Sequence, residues 1–355
     1  MLCHTNLMAQ SSQRPNVIAY DKSTNTVIDS FPVEKLTHLI YSFVHLKGDS
    51  IKVGTAKDSL IIRQMVAVKK RNPKLKIMLA LGGWGGCATC SEVFSTAQGR
   101  RTFAITTKQL LKNFNADGID LDWEYPAVSG FPGHAYKPAD KQNFTLLIRE
   151  LRKKLGKNAE ISFAAGGSEN CLDSCFEWEK VMPLVNRVNI MSYDLVSGYA
   201  TISGHHTPLY STPQQELSAD FAVQYLLKKG VPANKITLGA AFYARLFTNT
   251  TDSKQGLYQP TKFTGGFSYK YFDEQLSAAK GYTYHWDDVA KAPYCYNNTT
   301  KTIATFDDPK SIALKTNYVI DHHLNGIMFW ELNDDRYTNG LLDVIDDTIK
   351  KRSKN

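Results

Sequence analysis

The hydrophobic residues of the chain fall into eight short apolar runs, separated mostly by segments whose apolar residues recur at helical spacing. The predicted strands lie at residues 17–20, 38–44, 76–84, 117–126, 160–167, 187–195, 235–244 and 326–332. Helices are predicted at about 57–71, 101–114, 138–155, 177–185, 218–229, 308–322 and 341–351. Near-continuous apolar strands that alternate with helices are typical of a parallel sheet covered on its outer face. The count of eight therefore predicts a (β/α)8 barrel of the TIM type.

One interval breaks this alternation. Residues 246–306 follow the seventh predicted strand and are rich in tyrosine and phenylalanine, with Trp286 among them. A structureless loop of that length is improbable in a compact domain. We therefore predict a small α+β insertion domain at 246–306, within a catalytic barrel formed by 15–245 and 307–355. Residues 1–14 are predicted to be a disordered remnant of a signal peptide.

The fourth predicted strand carries four acids in eight residues, at Asp117, Asp120, Asp122 and Glu124. In a strand, the last three alternate with apolar residues and share one face, with neighbours about 7 Å apart. Neighbouring buried carboxyls raise one another's pKa, which is how an enzyme can keep a general acid protonated. Glu124 is nearest the carboxyl end of the strand, where barrel active sites lie, and is our candidate proton donor. A metal site or a salt-bridged structural cluster are the alternatives.

The pattern Asp-x-x-Asp-x-Asp-x-Glu followed by Tyr125-Pro126 resembles the signature of the family 18 glycoside hydrolases, the chitinases. The resemblance extends over nearly the whole chain, and the insertion resembles the one found in the deep-cleft subgroup. It implies retaining hydrolysis of β-1,4 linkages between N-acetylglucosamine units, assisted by the substrate's own acetamido group. Two alternatives stay open: a chitin-binding lectin on the same fold, and an endo-β-N-acetylglucosaminidase that acts on other glycans.

The same resemblance implies roles for individual residues. Glu124 would be the general acid and base, Asp122 would hold the acetamide N–H, and Asp120 would share a proton with Asp122. Tyr193 would donate to the acetamide oxygen. Candidate substrate-binding residues are Asp194, Trp330, Tyr243, Arg245, Trp84 and Tyr20.

Some of these residues have plainer interpretations when taken singly. Tyr193 and Asp194 could be packing and capping residues, Trp330 could belong to the core, and Trp84 could be a packed surface aromatic. One position departs from the family pattern, because Ala80 stands where the third strand often has a serine. That serine belongs to the hydrogen-bond network beneath the acids, so we expect Ala80 to alter their pKa balance.

Composition narrows the possible partners. The 355 residues are 43% hydrophobic and 21% charged, and the net charge of +8 comes from basic residues scattered near predicted helix ends. This favours an ordinary globular protein over a nucleic-acid-binding one. The family resemblance implies that the partner is a chitin or chito-oligosaccharide substrate. No apolar run is long enough for a membrane span. We expect no cofactor and no metal, a monomer, and a secreted or periplasmic location.

The cysteines allow more than one interpretation. Cys87 and Cys90 form one close pair, Cys171 and Cys175 form another, and Cys295 lies far from both. An exported chain would favour disulfides over free thiols, and the spacing of the two pairs would also suit zinc.

Overall fold

The computed structural model describes residues 14–22, 27–249, 251 and 253–354. The predicted signal-peptide remnant therefore lies outside the described residues, except for Arg14, whose guanidinium is 2.6 Å from a carboxylate oxygen of Asp346. Eight parallel strands form a closed barrel, since the first strand pairs with both the second and the eighth. The barrel strands are Asn16–Asp21, His38–Lys47, Lys76–Gly82, Gly118–Asp122, Glu160–Gly166, Arg187–Met191, Ile236–Ala241 and Gly326–Trp330. The predicted TIM barrel is confirmed.

Most of the helices cover the outside of the barrel. Within the described residues, the α-helices are Ala56–Ala67, Cys90–Ser95, Ala97–Phe114, Asp140–Leu155, Glu169–Ser174, Trp178–Val181, Ala219–Lys228, Phe272–Gln275, Pro309–Asp321 and Leu341–Arg352. The helix predicted at 177–185 is shorter than expected and continues as a 3-10 turn at Met182–Leu184. Pro183 explains the change, because it has no N–H to continue the α-helical hydrogen bonding.

The barrel strands separate two apolar layers. Along the first strand, Val17 and Ala19 pack outward into the large core beneath the helices, whereas Ile18 and Tyr20 point into the barrel. The fourth strand follows the same alternation: Ile119 and Leu121 join the outer core, and the acids take the inner face. This is the alternation that the sequence predicts for a strand covered on both sides.

A second sheet follows the seventh barrel strand. It is antiparallel and five-stranded, with strands Tyr243–Asn249, Thr261–Ser268, Tyr282–Asp287, Ala292–Asn297 and Thr302–Thr305. The helix Phe272–Gln275 lies between its second and third strands. The sheet begins at Tyr243, only two residues after the barrel strand that ends at Ala241. A separate short strand, Ser50–Lys52, forms an antiparallel hairpin with the end of the second barrel strand.

Several predicted strands end earlier than expected, and the fourth and sixth show the largest difference. The fourth ends at Asp122 and the sixth at Met191, so that Glu124, Tyr193 and Asp194 lie in the segments that follow them. Asp194 has a φ of 54°, in the left-handed region, which is incompatible with a continuing strand. Both early ends fall at the carboxyl edge of the barrel.

The described cysteines behave differently from one another. Cys87 and Cys90 form a disulfide, whereas Cys171, Cys175 and Cys295 are buried thiols. Burial raises the pKa of Cys295 to about 12, which keeps this thiol protonated and unreactive. Among the described helices, none combines the length and apolar character that a bilayer crossing requires.

Candidate active site

A groove of about 1140 Å³ opens at the carboxyl edge of the barrel and runs beside the insertion sheet. Eight of the predicted site residues line it: Asp122, Glu124, Tyr193, Asp194, Tyr243, Arg245, Trp330 and Trp84. They come from the third, fourth, sixth and eighth barrel strands, or the segments after them, and from the first strand of the insertion. Residues distant in sequence meet here because parallel strands bring their carboxyl ends to one edge.

Asp120 lies beneath the groove and is fully buried. Its carboxylate accepts hydrogen bonds from Tyr20 Oη at 2.9 Å, Ser162 Oγ at 2.5 Å and Asn189 Nδ2 at 3.2 Å. Burial nevertheless raises its pKa, while these donors act in the opposite direction. Tyr20, predicted to bind substrate, is placed differently: it is buried under the groove, and its hydroxyl is directed at Asp120.

Asp122 lies one step closer to the groove and is 4% exposed. Burial and the neighbouring Glu124 and Asp120 carboxylates raise its pKa well above the usual range. Within the described part of the chain, its Oδ1 atom has no hydrogen-bond partner although it is buried. The third strand approaches the backbone of Asp122 closely at Gly82, where a Cβ would lie 2.2 Å from the carbonyl oxygen of Asp122. The site thus contains a buried carboxyl oxygen that can accept a hydrogen bond from a ligand.

Glu124 lies two residues beyond its strand, at the base of the groove. Burial raises the pKa of its carboxyl to about 8, and the negative charge of Asp194 acts in the same direction. A hydrogen bond with Tyr125 opposes these effects. At neutral pH, Glu124 is therefore mostly protonated, which is the state that a general acid needs.

Asp194 is held in the opposite state. Arg245 donates two hydrogen bonds to its carboxylate, from Nε to Oδ1 at 2.7 Å and from Nη2 to Oδ2 at 2.5 Å. His206 Nδ1 lies 3.5 Å from the same Oδ1 atom. Although burial acts to raise it, the pKa of Asp194 is held well below its usual value by Arg245 and His206. The Arg245 guanidinium also lies 5.0 Å from the centre of the Tyr243 ring. These residues therefore form a fixed, charged cluster on the insertion side of the groove.

Aromatic rings form the floor of the groove. Trp330, the last residue of the eighth strand, stacks on Phe43 with a ring distance of 5.6 Å and an interplanar angle of 16°. Tyr193 meets the ring of Tyr243 edge-on at 6.1 Å, and its hydroxyl lies 3.9 Å from the sulfur of Met328. Ring faces of this kind suit the apolar C–H surface of a sugar.

Trp84 lies at the rim and is 49% exposed. Its ring contacts Phe131 at 5.7 Å and Tyr199 at 6.4 Å, and both of these rings are also exposed. The three side chains come from loops after three different barrel strands. They form an aromatic rim that a ligand longer than the floor would contact.

Asp117 has no place in this groove. Its Oδ2 atom accepts from Lys69 Nζ at 2.5 Å and from the backbone N–H of Ile77 at 2.7 Å. It therefore ties the start of the fourth strand to the third strand and to a neighbouring helical turn. Across the ranges that the structure describes, no cluster of three His, Cys, Asp or Glu side chains is arranged to hold a metal ion.

Sequence reasoning missed four residues that surround the acids: Ser162, Asn189, His206 and Phe43. The first two lie on the inner face of their strands, at the level of Asp120. Strand periodicity could have identified Asn189, because it lies four residues before Tyr193. His206 and Phe43 carry no comparable signal, since only the folded chain brings them to Asp194 and Trp330.

The comparisons with known proteins agree on one family. The sequence profile described as "Glycosyl hydrolases family 18" matches residues 15–335. The chain belongs to family 18 of the glycosyl hydrolases. It is 35% identical to Chitinase A1 of Niallia circulans over 78% of this chain and 43% of that protein. It is 31% identical to Chitinase 1 of Aphanocladium album over 84% of this chain and 76% of that protein.

Solved structures of family 18 agree with the barrel and the added sheet. A family 18 N-acetylglucosaminidase from Paenibacillus barengoltzii superposes with a TM-score of 0.86 and 33% identity. The match covers 94% of this chain and 99% of that one. The chain spans less than half the length of Chitinase A1 but nearly the whole of this solved structure. The family predicted from the acidic motif and the barrel predicted from the eight apolar runs are thus confirmed.

Proposed function

We propose that this family 18 protein is a chitinase that hydrolyses β-1,4 linkages between N-acetylglucosamine units with retention of configuration. The observation that carries the proposal is the pair formed by Glu124 and Asp122 at the base of the groove. Glu124 has a pKa of about 8, and Asp122 has a buried oxygen without a hydrogen-bond partner in the described structure. Glu124 can donate a proton, and Asp122 can accept a hydrogen bond from a bound ligand.

In the first step, the Glu124 carboxyl gives its proton to the glycosidic oxygen. The acetamido oxygen of the sugar on the Trp330 floor attacks its own anomeric carbon as the glycosidic bond breaks. This forms a cyclic oxazolinium ion and releases the leaving sugar as an alcohol. No protein carboxylate needs to become a nucleophile in this step.

Asp122 and Tyr193 orient the acetamido group. The free oxygen of Asp122 accepts the acetamide N–H, and its negative charge stabilises the oxazolinium ion. The Tyr193 hydroxyl donates to the acetamide oxygen and aligns it for attack. Asp120, held by three hydrogen-bond donors, shares a proton with Asp122 and sets how much charge Asp122 carries.

In the second step, water attacks the anomeric carbon from the side that the leaving sugar vacated. Glu124, now a carboxylate, takes a proton from this water and returns to its acidic state. The C–O bond of the oxazolinium ring breaks, and the acetamido group is restored. Two displacements at the same carbon leave the product in the β form.

Substrate binding is assigned to the walls of the groove. Trp330 carries the sugar that reacts, Asp194, Arg245 and Tyr243 hold its polar groups, and Trp84 contacts a sugar at the rim. The charged cluster and the aromatic rings together suit a polar, uncharged chain with exposed C–H faces. An aromatic-rich groove of this volume favours a linear chito-oligosaccharide over a branched glycan.

The test is a time course of products from a soluble chitin hexamer, with the anomeric form followed by proton NMR. Wild-type protein should release fresh β-anomer, and Glu124→Gln should be slower by a factor of about 10² to 10⁴. Asp122→Asn should also reduce turnover. Undiminished turnover by Glu124→Gln would refute the assignment of the acid.

The same time course separates the alternatives. Binding of the hexamer without cleavage by the wild type would indicate a lectin, and activity only on N-glycans would indicate an endo-β-N-acetylglucosaminidase. Single N-acetylglucosamine as the first product would match the name of the Paenibacillus barengoltzii relative. Short oligomers as the first products would instead indicate internal cleavage.

We also propose that the protein works outside the cytoplasm. The Cys87–Cys90 disulfide next to the groove supports this, because such bonds persist mainly in oxidising compartments. A thiol titration of the denatured protein, with and without reductant, tests for the bond. Equal thiol counts in the two samples would remove this support.

A further inference from the structure

The acid network contains a hydroxyl donor that neither the motif nor the proposed mechanism assigns. Asp120 pairs with Ala80 of the third strand on one side and with Ser162 of the fifth strand on the other. All three residues are fully buried at the same level of the barrel. Ala80 has no polar atom to offer, whereas Ser162 Oγ donates to Asp120 Oδ1 at 2.5 Å.

We propose that Ser162 is a positioning residue that holds Asp120 in place and supplies, from the fifth strand, the hydroxyl that Ala80 cannot supply from the third. The inference rests on the proposed function, because Asp120 acts through Asp122. A short hydrogen bond from a neutral donor to a carboxylate is stronger than a hydrogen bond between two neutral groups. Ser162 therefore favours the ionised form of Asp120 over the protonated form.

The other donors to Asp120 do not make Ser162 redundant. Asn189 Nδ2 is shared, since it lies 3.2 Å from Asp120 Oδ1 and 2.9 Å from Tyr20 Oη. Tyr20 donates to the opposite oxygen, Oδ2. Ser162 thus makes the shortest contact to Oδ1, and without it the shared amide is the one donor to that oxygen that remains among the described residues.

Several charged and titratable groups face Asp120 from the strands around it. Asp122 lies above it on the same strand, and Tyr20 faces it from the first strand. Arg187 acts on it from the sixth strand, and Tyr193 lies near it in the segment after that strand. Both Arg187 and the hydrogen-bond donors lower the pKa of Asp120 against the effect of burial. Removal of the Ser162 hydroxyl shifts this balance toward protonated Asp120. The proton that Asp120 shares with Asp122 is then harder to remove, and the acid limb of the pH–rate profile moves to higher pH.

The experiment compares wild type, Ser162→Ala, Ser162→Thr and the double variant Ala80→Ser/Ser162→Ala on the chitin hexamer between pH 3 and 10. Loss of a hydrogen bond to a charged group changes the protonation equilibrium of that group by about tenfold or more. We therefore expect Ser162→Ala to move the acid limb upward by about one pH unit, which lowers kcat about tenfold at a pH on that limb. The KM should change by less than about twofold, because Ser162 does not reach the groove.

The two other variants separate the hydroxyl from the shape of the side chain. Ser162→Thr keeps a hydroxyl at the same place and should retain the wild-type acid limb. The double variant returns a hydroxyl to the other side of Asp120 and should bring the limb back toward the wild-type position. An unchanged limb in Ser162→Ala, an equal shift in Ser162→Thr, or a double variant that behaves like Ser162→Ala would each overturn the proposal.

Melting temperatures of all four proteins distinguish positioning from folding. Loss of activity in proportion to loss of folded protein, without movement of the limb, would contradict the positioning role. Hydrolysis by the wild type tests the proposed function separately. If the wild type binds but does not cleave, the same pH comparison is read from tryptophan fluorescence during titration with a chitin trimer. A binding profile that Ser162→Ala leaves unmoved would then refute the inference.

Discussion

The raised pKa of Glu124 predicts that its carboxyl destabilises the fold at alkaline pH. Its pKa is about 8 in the folded protein against 4.5 for the free side chain. The folded state therefore holds a proton that the unfolded state has released between these two values. Stability contributed by the protonated group is complete below pH 4.5 and is lost as the pH rises through 8. The perturbation is Glu124→Gln, which removes this titration and keeps the shape of the side chain.

The magnitude follows from the two pKa values. A difference of about 3.5 pH units at 1.36 kcal/mol each is about 5 kcal/mol above pH 8. Entry of water around the ionised carboxylate reduces this, so we expect Glu124→Gln to stabilise the fold by about 2 to 5 kcal/mol at pH 9. The substitution also removes a charge that acts on Asp122, which favours the variant in the same direction. At pH 4, where both forms are neutral, the two proteins should agree within about 0.5 kcal/mol.

The assay is thermal unfolding of both proteins between pH 4 and 9.5. At about 2 °C per kcal/mol, the variant should melt about 4 to 10 °C higher at pH 9. Glu92→Gln, an exposed glutamate on the helix Cys90–Ser95, is the matched control and should melt like the wild type throughout. Parallel melting curves for wild type and Glu124→Gln at every pH would refute the reasoning.

The same burial has a catalytic benefit. With a pKa of about 8, Glu124 is about 90% protonated at pH 7, whereas an unperturbed carboxyl would be protonated in well under 1% of molecules. The basic limb of kcat/KM should therefore lie near pH 8. Burial of Glu124 thus lowers the stability of the fold at alkaline pH but keeps the proton that the reaction requires.

Four further outcomes are expected. Lys315→Met should destabilise the fold by about 3 to 5 kcal/mol in urea unfolding, because it leaves the fully buried Asp307 carboxylate without its cation, 2.6 Å away; an unchanged midpoint would contradict this. Asp194→Asn should weaken the paired contact with Arg245 and reduce kcat/KM for the chitin hexamer by about tenfold to a hundredfold in steady-state kinetics, whereas wild-type kinetics would exclude a role in binding. Trp330→Ala should raise the dissociation constant of a chitin trimer by at least about tenfold, measured by isothermal titration calorimetry. An unchanged dissociation constant would contradict the proposal that Trp330 contacts the bound sugar. Excess EDTA should leave the wild-type rate unchanged, since a fall reversed by added metal would show that an ion takes part.

Local sequence was sufficient for the barrel and for the core of the site. Strand and helix periodicity are short-range properties, so the eight strands and the inward face of Asp120 and Asp122 could be predicted from single segments. The motif also predicted that Glu124 would lie at the carboxyl edge, and the structure places it in the groove there. The ends of strands were harder to predict, because Asp194 leaves the strand pattern through a left-handed backbone conformation.

Only tertiary structure decided which residues act on one another. Asp117 resembles the other acids in sequence, but the chain pairs it with Lys69 outside the groove. Ser162 is an ordinary inward residue of its strand until strand register places it beside Asp120, opposite Ala80. The pKa values of the acids depend on burial and on charges from other strands, neither of which is encoded in a local pattern. The sequence by itself therefore determined the fold and the identity of the acids, whereas strand register and burial determined their protonation and their partners.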